Sequence, residues 1–180
     1  DRILISYPFG TIQKMNFMNA VYAFTFTVAG ERVYAADPEG FKVHVFDRGG
    51  EELFGFEHPC DPVPFGEDLI ERIHQGMKRT MPQAQYQALK DRFYFPEYLP
   101  AILMLQASGQ YIYALSPTED IDRSICRIMD LEGRLLDQKT VTFIMNEQMQ
   151  SFPFYIHHRE LMQLVENEET EDWELMISPL

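Results

Sequence analysis

Short stretches in which apolar and polar side chains alternate dominate the chain, and the clearest lies at Val33–Phe56 (VYAADPEGFKVHVFDRGGEELFGF). Alternation with a period of two predicts half-buried β-strands, because successive side chains of a strand point to opposite faces. Asp37-Pro38-Glu39-Gly40 has the composition of a turn, since proline presets φ and glycine accepts positive φ. Arg48-Gly49-Gly50 predicts a hairpin connection. The stretch is therefore predicted to form three strands joined by two turns.

The same pattern returns at Ile112–Leu136 (IYALSPTEDIDRSICRIMDLEGRLL). The matching positions are Ile112-Tyr113-Ala114 with Val33-Tyr34-Ala35, Ile128-Met129-Asp130 with Val45-Phe46-Asp47, and Gly133 with Gly50. The loop between the two central strands is longer in the second copy, where it contains Pro117–Arg123. Loops that vary in length between copies of a constant strand pattern indicate a repeated supersecondary unit.

An apolar run precedes each copy and supplies a further strand. These runs are Ala20–Val28 and Ala101–Gln106. Each copy then has four short antiparallel strands, which is the composition of a β-propeller blade. A third unit is predicted from Phe154–His157, Leu161–Val165 and Trp173–Ile177, the last two joined by the acidic turn Glu166–Asp172. The predicted fold is therefore all-β, with blades of four antiparallel strands.

One segment between the two copies breaks the strand pattern. Its boundary is His58–Gly66 (HPCDPVPFG), and beyond it the apolar residues recur with helical spacing at Leu69, Ile70, Ile73 and Met77. Thr80 is predicted to cap a second helix that has Pro82 just inside it and ends at about Arg92. Residues 67–92 are thus predicted to form an α-helical insertion, which either caps a propeller face, covers an edge or recognises a partner.

Several segments together resemble the bacterial six-bladed β-propellers distantly related to NHL-repeat proteins. The resemblance is carried by VYAAD…FKVHVFDRGGEE, by FPEYLPAI at Phe95–Ile102, by MDLEGRLL at Met129–Leu136 and by LMQLVENEETEDWEL at Leu161–Leu175. It covers residues 20–180 and corresponds to the C-terminal blades of such a propeller. The resemblance implies a bacterial protein that is exported to the periplasm.

The predicted organisation is a single propeller-type domain over residues 1–180. It comprises a partial blade at 1–19, a blade at 20–58, the helical insertion at 67–92, a blade at 93–143 and a closing blade at 152–180. A blade takes about 40–50 residues, so 180 residues are too few for six blades. The propeller is therefore predicted to be incomplete as given, with missing blades or a second chain covering its open strand edges.

Composition limits the classes of partner. A hydrophobic share of 46% is ample for a core, and the net charge is −13 with a pI of about 4.7. Such acidity argues against nucleic acid, which requires clustered Lys and Arg, and against docking on anionic lipid. No run approaches the roughly 18 apolar residues of a membrane span, so no direct membrane insertion is predicted. No signal peptide is visible, but the chain begins at Asp1, so either a leader has been removed or upstream sequence is missing.

Residues that could perform chemistry form no known catalytic or metal motif. The histidines are His44, His58, His74, His157 and His158, and no HExxH or zinc spacing occurs among them. His157 and His158 are predicted to point to opposite faces of a strand, which is poor geometry for one ion. Cys60 and Cys126 form either a disulfide or two free thiols. Asp47 and Asp130 are predicted to accept backbone N–H groups of the turns that follow them.

Two further segments have a composition of their own. The aromatic run Phe93–Pro100 is predicted either to pack a loop against the core or to form a surface patch. The polar Gln138–Ser151 is predicted to wrap around the outer strand of a blade, and Glu166–Asp172 to be a solvated hairpin tip rather than a metal site.

The sequence thus favours a non-enzymatic binding or scaffold protein, an accessory subunit of a larger, membrane-associated assembly. It predicts a protein partner and no catalytic, cofactor-binding or metal-binding residues. The alternative is a propeller hydrolase or lactonase-like enzyme whose catalytic groups lie in residues not present here. An intracellular sensor domain is a third, weaker interpretation, since propellers bind many kinds of ligand.

Overall fold

The structure is a computed structural model that describes residues 15–16, 25–37, 40–145, 151–167, 170 and 172–180. Its strands are β1 (Met15–Asn16), β2 (Phe26–Ala29), β3 (Arg32–Ala36), β4 (Lys42–Asp47), β5 (Glu52–Glu57), β6 (Phe93–Tyr94), β7 (Met104–Ser108), β8 (Tyr111–Pro117), β9 (Arg123–Asp130), β10 (Leu135–Thr142), β11 (Phe154–His157), β12 (Glu160–Asn167) and β13 (Asp172–Pro179). Its helices, α1 (Glu67–Thr80) and α2 (Gln83–Leu89), lie between β5 and β6.

Three antiparallel sheets dominate this part of the chain. The first sheet has the order β2-β3-β4-β5, the second β7-β8-β9-β10 and the third β11-β12-β13, so every strand pairs with its neighbours in sequence. β1 and β6 form a separate parallel pair. The all-β prediction and its four-stranded antiparallel units are therefore confirmed for the described residues. The blade boundaries remain predictions.

The first and second sheets repeat each other residue by residue. Val33 pairs with Phe46 in the first sheet, and the equivalent Ile112 pairs with Met129 in the second. The glycines of the following turns match as well, because Gly50 and Gly133 adopt φ values of 78° and 81°, where a Cβ atom would be strained. The predicted internal repeat is confirmed by this common register.

The sheets stack face to face, with the second in the middle. One apolar core lies between the first and second sheets and contains Tyr34, Val43, Val45, Ile112 and Met129. The other lies between the second and third sheets and contains Tyr113, Leu115, Ile128, Ile156 and Leu161. Because both of its faces are covered, the second sheet is buried along almost all of β8.

The first strands of the three sheets lie beside one another. β7 contacts β2 on one side and β11 on the other. The backbone N–H of Ala107 donates to Thr27 Oγ1 at 2.8 Å. On the other side, the amide of Gln106 donates to the Ile156 carbonyl and accepts the Ile156 N–H at 3.3 Å. Side-chain hydrogen bonds thus join strands that do not pair through their backbones.

The two helices confirm the predicted insertion but correct its details. Pro82, predicted just inside the second helix, is the residue that precedes it, and α2 ends at Leu89 rather than Arg92. Thr80 does not cap α2. It is the last residue of α1, and its hydroxyl donates to the Gly76 carbonyl at 3.0 Å, a bond to the preceding turn that Ser and Thr make readily in helices.

Other predictions are revised or lie outside the described residues. Gln138–Ser151 does not wrap around an outer strand, because residues up to Thr142 form that strand, β10, by pairing with β9. Residues 146–150 are not described. The predicted partial blade at 1–19 and the apolar run from Ala20 likewise lie outside the described residues, except for Met15–Asn16 and the residues from Thr25 onward. So do Pro38 and Glu39 and part of the acidic turn, at residues 168, 169 and 171.

Candidate interaction surface

The outer face of the third sheet, which points away from the second sheet, is apolar. Cross-strand pairing places Met162 beside Tyr155 and Ile177, and Leu164 beside Leu175. We call Tyr155, Met162, Leu164, Trp173, Leu175 and Ile177 the third-sheet apolar face. Met162 is half-buried, and the exposed fractions of the other five run from 41% at Leu164 to 59% at Leu175. Contiguous exposed apolar surface of this kind usually marks an interaction site.

The opposite end of the stack also exposes apolar side chains. Thr27 faces the second sheet, where it accepts the bond from Ala107, so its neighbours Phe26 and Val28 project from the other side of β2. Their exposed fractions are 60% and 56%. The stack therefore ends in apolar surface on both sides, whereas its interior faces are buried.

Ser108 and His157 form the closest approach to a catalytic pair. Ser108 Oγ lies 2.7 Å from His157 Nδ1, which joins the end of β7 to the end of β11. Ser108 is only 6% exposed, and among the described residues no carboxylate bonds the other nitrogen of His157. A nucleophilic serine must be accessible to its substrate, and its histidine must be oriented by a carboxylate. This pair has neither feature. The pair therefore links two strands.

The prediction that His157 and His158 point to opposite faces of a strand is wrong. β11 ends at His157, and His158-Arg159 form the two-residue turn to β12 with φ values of 46° and 65°. Residues of such a turn do not alternate as strand residues do, and the two imidazole centroids lie 3.9 Å apart. Nevertheless, the described residues contain no group of three or more His, Cys, Asp or Glu that could hold a metal ion.

Another ionisable cluster lies at the turn between β11 and β12. Tyr113 Oη accepts the backbone N–H of Arg159 at 3.1 Å, and the Arg159 guanidinium forms an ion pair with Asp137. Burial raises the pKa of Tyr113, and the backbone N–H of Gln138 lowers the pKa of Asp137. These contacts tie the turn of the third sheet to the second sheet.

The remaining histidines have structural partners. His44 lies between two carboxylates, with Nδ1 2.8 Å from Glu52 Oε1 and Nε2 3.3 Å from Asp37 Oδ2, so both nitrogens are occupied on opposite sides of the ring. His58 Nε2 donates to the Gly133 carbonyl at 2.8 Å. His74 lies 3.3 Å from the hydroxyl of Tyr86 in the helical insertion. None of these nitrogens is positioned to bind an ion.

The two cysteines are free thiols. Cys126 is fully buried in β9, and Cys60 is half-buried in the loop before α1. Burial, followed by the charge of Asp137, raises the pKa of Cys126 to about 12. Because the thiolate is the reactive form of cysteine, Cys126 is not a nucleophile near neutral pH.

The prediction for the two equivalent aspartates is confirmed. Asp47 Oδ1 accepts the backbone N–H of Glu51 at 2.8 Å. Asp130 Oδ1 accepts the N–H groups of Glu132 and Arg134 at 3.0 and 2.9 Å. Both carboxylates thus hold the turn between the third and fourth strands of their sheets.

The aromatic run Phe93–Pro100 combines the two alternatives that the sequence leaves open. Phe95 packs against the rings of Phe65 and His74, at centroid distances of 5.3 and 5.5 Å, and so holds the helical insertion to its flanking loops. Tyr94 and Tyr98 remain exposed. The run is therefore packed on one side only, and against the insertion rather than against the sheets.

The sequence interpretation missed a buried cation. Arg127 is 6% exposed and donates to Ser116 Oγ at 2.7 Å and to the Pro59 carbonyl at 3.3 Å. Its guanidinium also lies 4.7 Å from the centre of the Phe41 ring. A charged residue at a core-facing position within the apolar run ICRIM was the available signal. Ser116 belongs to the second sheet, as Arg127 does, whereas Pro59 follows the last strand of the first sheet and Phe41 precedes its third strand. Arg127 therefore connects the second sheet to loops of the first, which indicates a structural role.

Comparison with known proteins identifies no relative. No protein-family model matches the chain, and neither a curated protein nor a solved structure matches it. Among the described residues, no helix combines the length and the apolar character needed to cross a bilayer. The propeller family and the bacterial, exported location therefore remain predictions.

Proposed function

We propose that the three sheets are consecutive blades of a β-propeller and that the chain is a non-enzymatic binding or scaffold protein. The stacking supports this architecture. The equivalent residues Tyr34 and Tyr113 both face the next sheet along the chain, so the sheets follow one another in the same sense. β2, β7 and β11, the first strands, lie side by side, as the inner strands of blades do around a propeller axis.

The observation that carries the binding function is the third-sheet apolar face. Trp173 and Tyr155 are 55% and 51% exposed, and large aromatic side chains are enriched in protein interfaces. By contrast, the ionisable side chains His44, Asp130 and Arg127 are engaged in structural bonds. A surface that binds protein therefore fits this chain better than a reaction centre does.

The partner that we propose is a protein, supplied either by further blades or by a second chain. Either would cover the apolar ends of the stack and the open strand edges, which otherwise promote aggregation. An accessory subunit of a larger, membrane-associated assembly agrees with this role. Export to the periplasm rests on the sequence resemblance alone.

The mass and the metal content of the native assembly test the proposal. We expect purification from the native source under mild conditions to give an assembly heavier than one chain of 21.1 kDa, without stoichiometric divalent metal. A single chain of that mass containing stoichiometric metal and hydrolysing lactones would contradict it. That outcome would favour the alternative, a propeller hydrolase or lactonase-like enzyme.

A further inference from the structure

In the part of the chain that the structure describes, the third sheet has one strand fewer than the other two. The first and second sheets each have four strands, whereas the third ends at β13, whose outer edge pairs with no strand among the described residues. All eight residues of β13 are exposed, so other elements leave both of its faces open as well. A fourth strand would therefore meet no obstruction in the described part of the chain.

β13 lacks most features that protect an edge strand from pairing. Proteins protect such edges with short strands, charged side chains and lysine above all, internal prolines, bulges or a covering element. β13 has eight residues, no lysine, carboxylates only in its first half, at Asp172 and Glu174, and a proline only at its last position, Pro179. Its register with β12 is continuous from Asn167 to Glu160, without a bulge. As far as the described residues go, the backbone at the outer edge of β13 is thus available to add a strand.

We propose that β13 pairs with β13 of a second copy of this chain, antiparallel and about a two-fold axis at Leu175. The two third sheets would become one six-stranded sheet. The inference rests on the proposed protein-binding function and names the partner of this edge. A two-fold contact of identical surfaces is the commonest route to a dimer.

The sequence of β13 is complementary to itself in this register. With Leu175 opposite its own copy, Trp173 lies opposite Ile177, an aromatic and β-branched pair of the kind that stabilises sheets. Glu174 lies opposite Met176, and Asp172 opposite Ser178, so no two carboxylates face each other. Moving the axis to Glu174 would place two carboxylates in direct opposition, which is destabilising.

The register also keeps the apolar surface continuous. Residues directly opposite in an antiparallel pair lie on the same side of the sheet. Trp173, Leu175 and Ile177 of both copies therefore share one side, and the third-sheet apolar face is doubled in area. The dimer would present this larger face to whatever covers the end of the stack.

Sedimentation velocity over a concentration series, using the 180-residue chain, tests the pairing. We expect a reversible dimer that Leu175→Arg weakens at least tenfold, about 1.4 kcal/mol, because two guanidinium groups would lie opposite each other at the axis. Leu164→Arg is the matched control. Leu164 is the neighbour of Leu175 on the same face but belongs to β12, away from the edge, so this variant should dimerise as the parent does.

Two results would overturn the proposal. One is a chain that stays monomeric at every concentration. The other is an equal loss of dimer in both variants, which would indicate packing through the faces of the sheets rather than pairing of the edges. Hydrogen exchange tests the pairing without a variant. The backbone amides of β13 should gain protection as the protein concentration rises. Unchanged protection would contradict edge pairing.

The salt dependence of dimerisation distinguishes pairing of the β13 edges from an ionic contact. Each copy has a net charge of −13, so the copies repel each other and added salt should tighten the dimer. Dissociation by salt would contradict the proposal. A monomer in these experiments would leave the proposed function intact if the native assembly still proved heavier than one chain.

Discussion

Gly133 lies directly against the ring of Phe56. A Cβ atom at Gly133 would stand 2.3 Å from Cγ and Cδ1 of that ring. The carbonyl of the same residue accepts a hydrogen bond from His58 Nε2 at 2.8 Å. The turn between β9 and β10 of the second sheet is thereby held to the end of the first sheet, and the contact has room for glycine alone.

Gly133→Ala is therefore expected to be much more destabilising than an alanine at another turn glycine. Gly30 is the matched control, because its φ is also positive, at 58°, but a Cβ atom there would meet open space. Gly30→Ala should cost only the backbone strain, about 1–2 kcal/mol. Gly133→Ala should cost about 1–3 kcal/mol beyond the backbone strain, because the ring of Phe56 must move. Urea unfolding measures both, and equal losses would contradict the proposed steric contact.

Arg127→Ala is expected to lower the free energy of unfolding by about 2–3 kcal/mol, because it leaves Ser116 and the Pro59 carbonyl without their donor inside the protein. Arg123→Ala is the control. Arg123 lies on the same strand, but its ion pair with Asp120 is exposed and 3.5 Å long, so its loss should cost less than about 1 kcal/mol. Urea unfolding measures both losses, and equal losses for the two variants would contradict a stabilising role of the buried guanidinium.

Asp130→Ala is expected to lower the free energy of unfolding by about 1–2 kcal/mol, because Oδ1 of Asp130 accepts the backbone N–H groups of Glu132 and Arg134. Asp130→Asn keeps an acceptor oxygen at the same place and should lose less. Thermal unfolding of the two variants measures both losses. A loss as large for Asp130→Asn as for Asp130→Ala would contradict the role of these two bonds.

Much of the local structure could be predicted because its causes are local. Alternation over Val43–Val45, turn chemistry at Gly50 and Gly133, and helical spacing from Leu69 to Met77 each act within a few residues. The errors were local as well. The hydroxyl of Thr80 could either accept a backbone N–H as a cap or donate to the preceding turn, and it donates to the Gly76 carbonyl. His158 belongs to a turn where strand alternation does not apply.

The arrangement of the sheets depends on residues that are far apart in the sequence. Gln106 bonds to Ile156, which is 50 positions away, and Arg127 to Pro59, which is 68 positions away. The periodicity of the sequence gives no information about such distant pairs. The apolar outer face of the third sheet could not be predicted for a related reason. In sequence, strands β11–β13 resemble the strands of the buried second sheet, and only the stacking order shows which faces are covered.

The buried thiol of Cys126 gives the protein a specific response to alkaline pH. Burial, followed by the charge of Asp137, raises the pKa of Cys126 from 9.0 to about 12. Below about pH 9 the thiol is protonated in both the folded and the unfolded chain, so its contribution to stability is fully present. Between about pH 9 and pH 12 the unfolded chain loses this proton and the folded chain keeps it. The free energy of unfolding should therefore fall as the pH rises through this range.

Cys126→Val isolates this effect, because valine has a similar volume and no proton to lose. The difference in the free energy of unfolding between the parent and the variant should be constant up to about pH 9 and then move in favour of the variant by at most 1.4 kcal/mol per pH unit. All other titrating groups are common to both proteins and cancel in the difference. Urea unfolding from about pH 7 to about pH 11 measures it. A difference that stays constant over the whole range would mean that water reaches the thiol, and hence that the core between the second and third sheets is open.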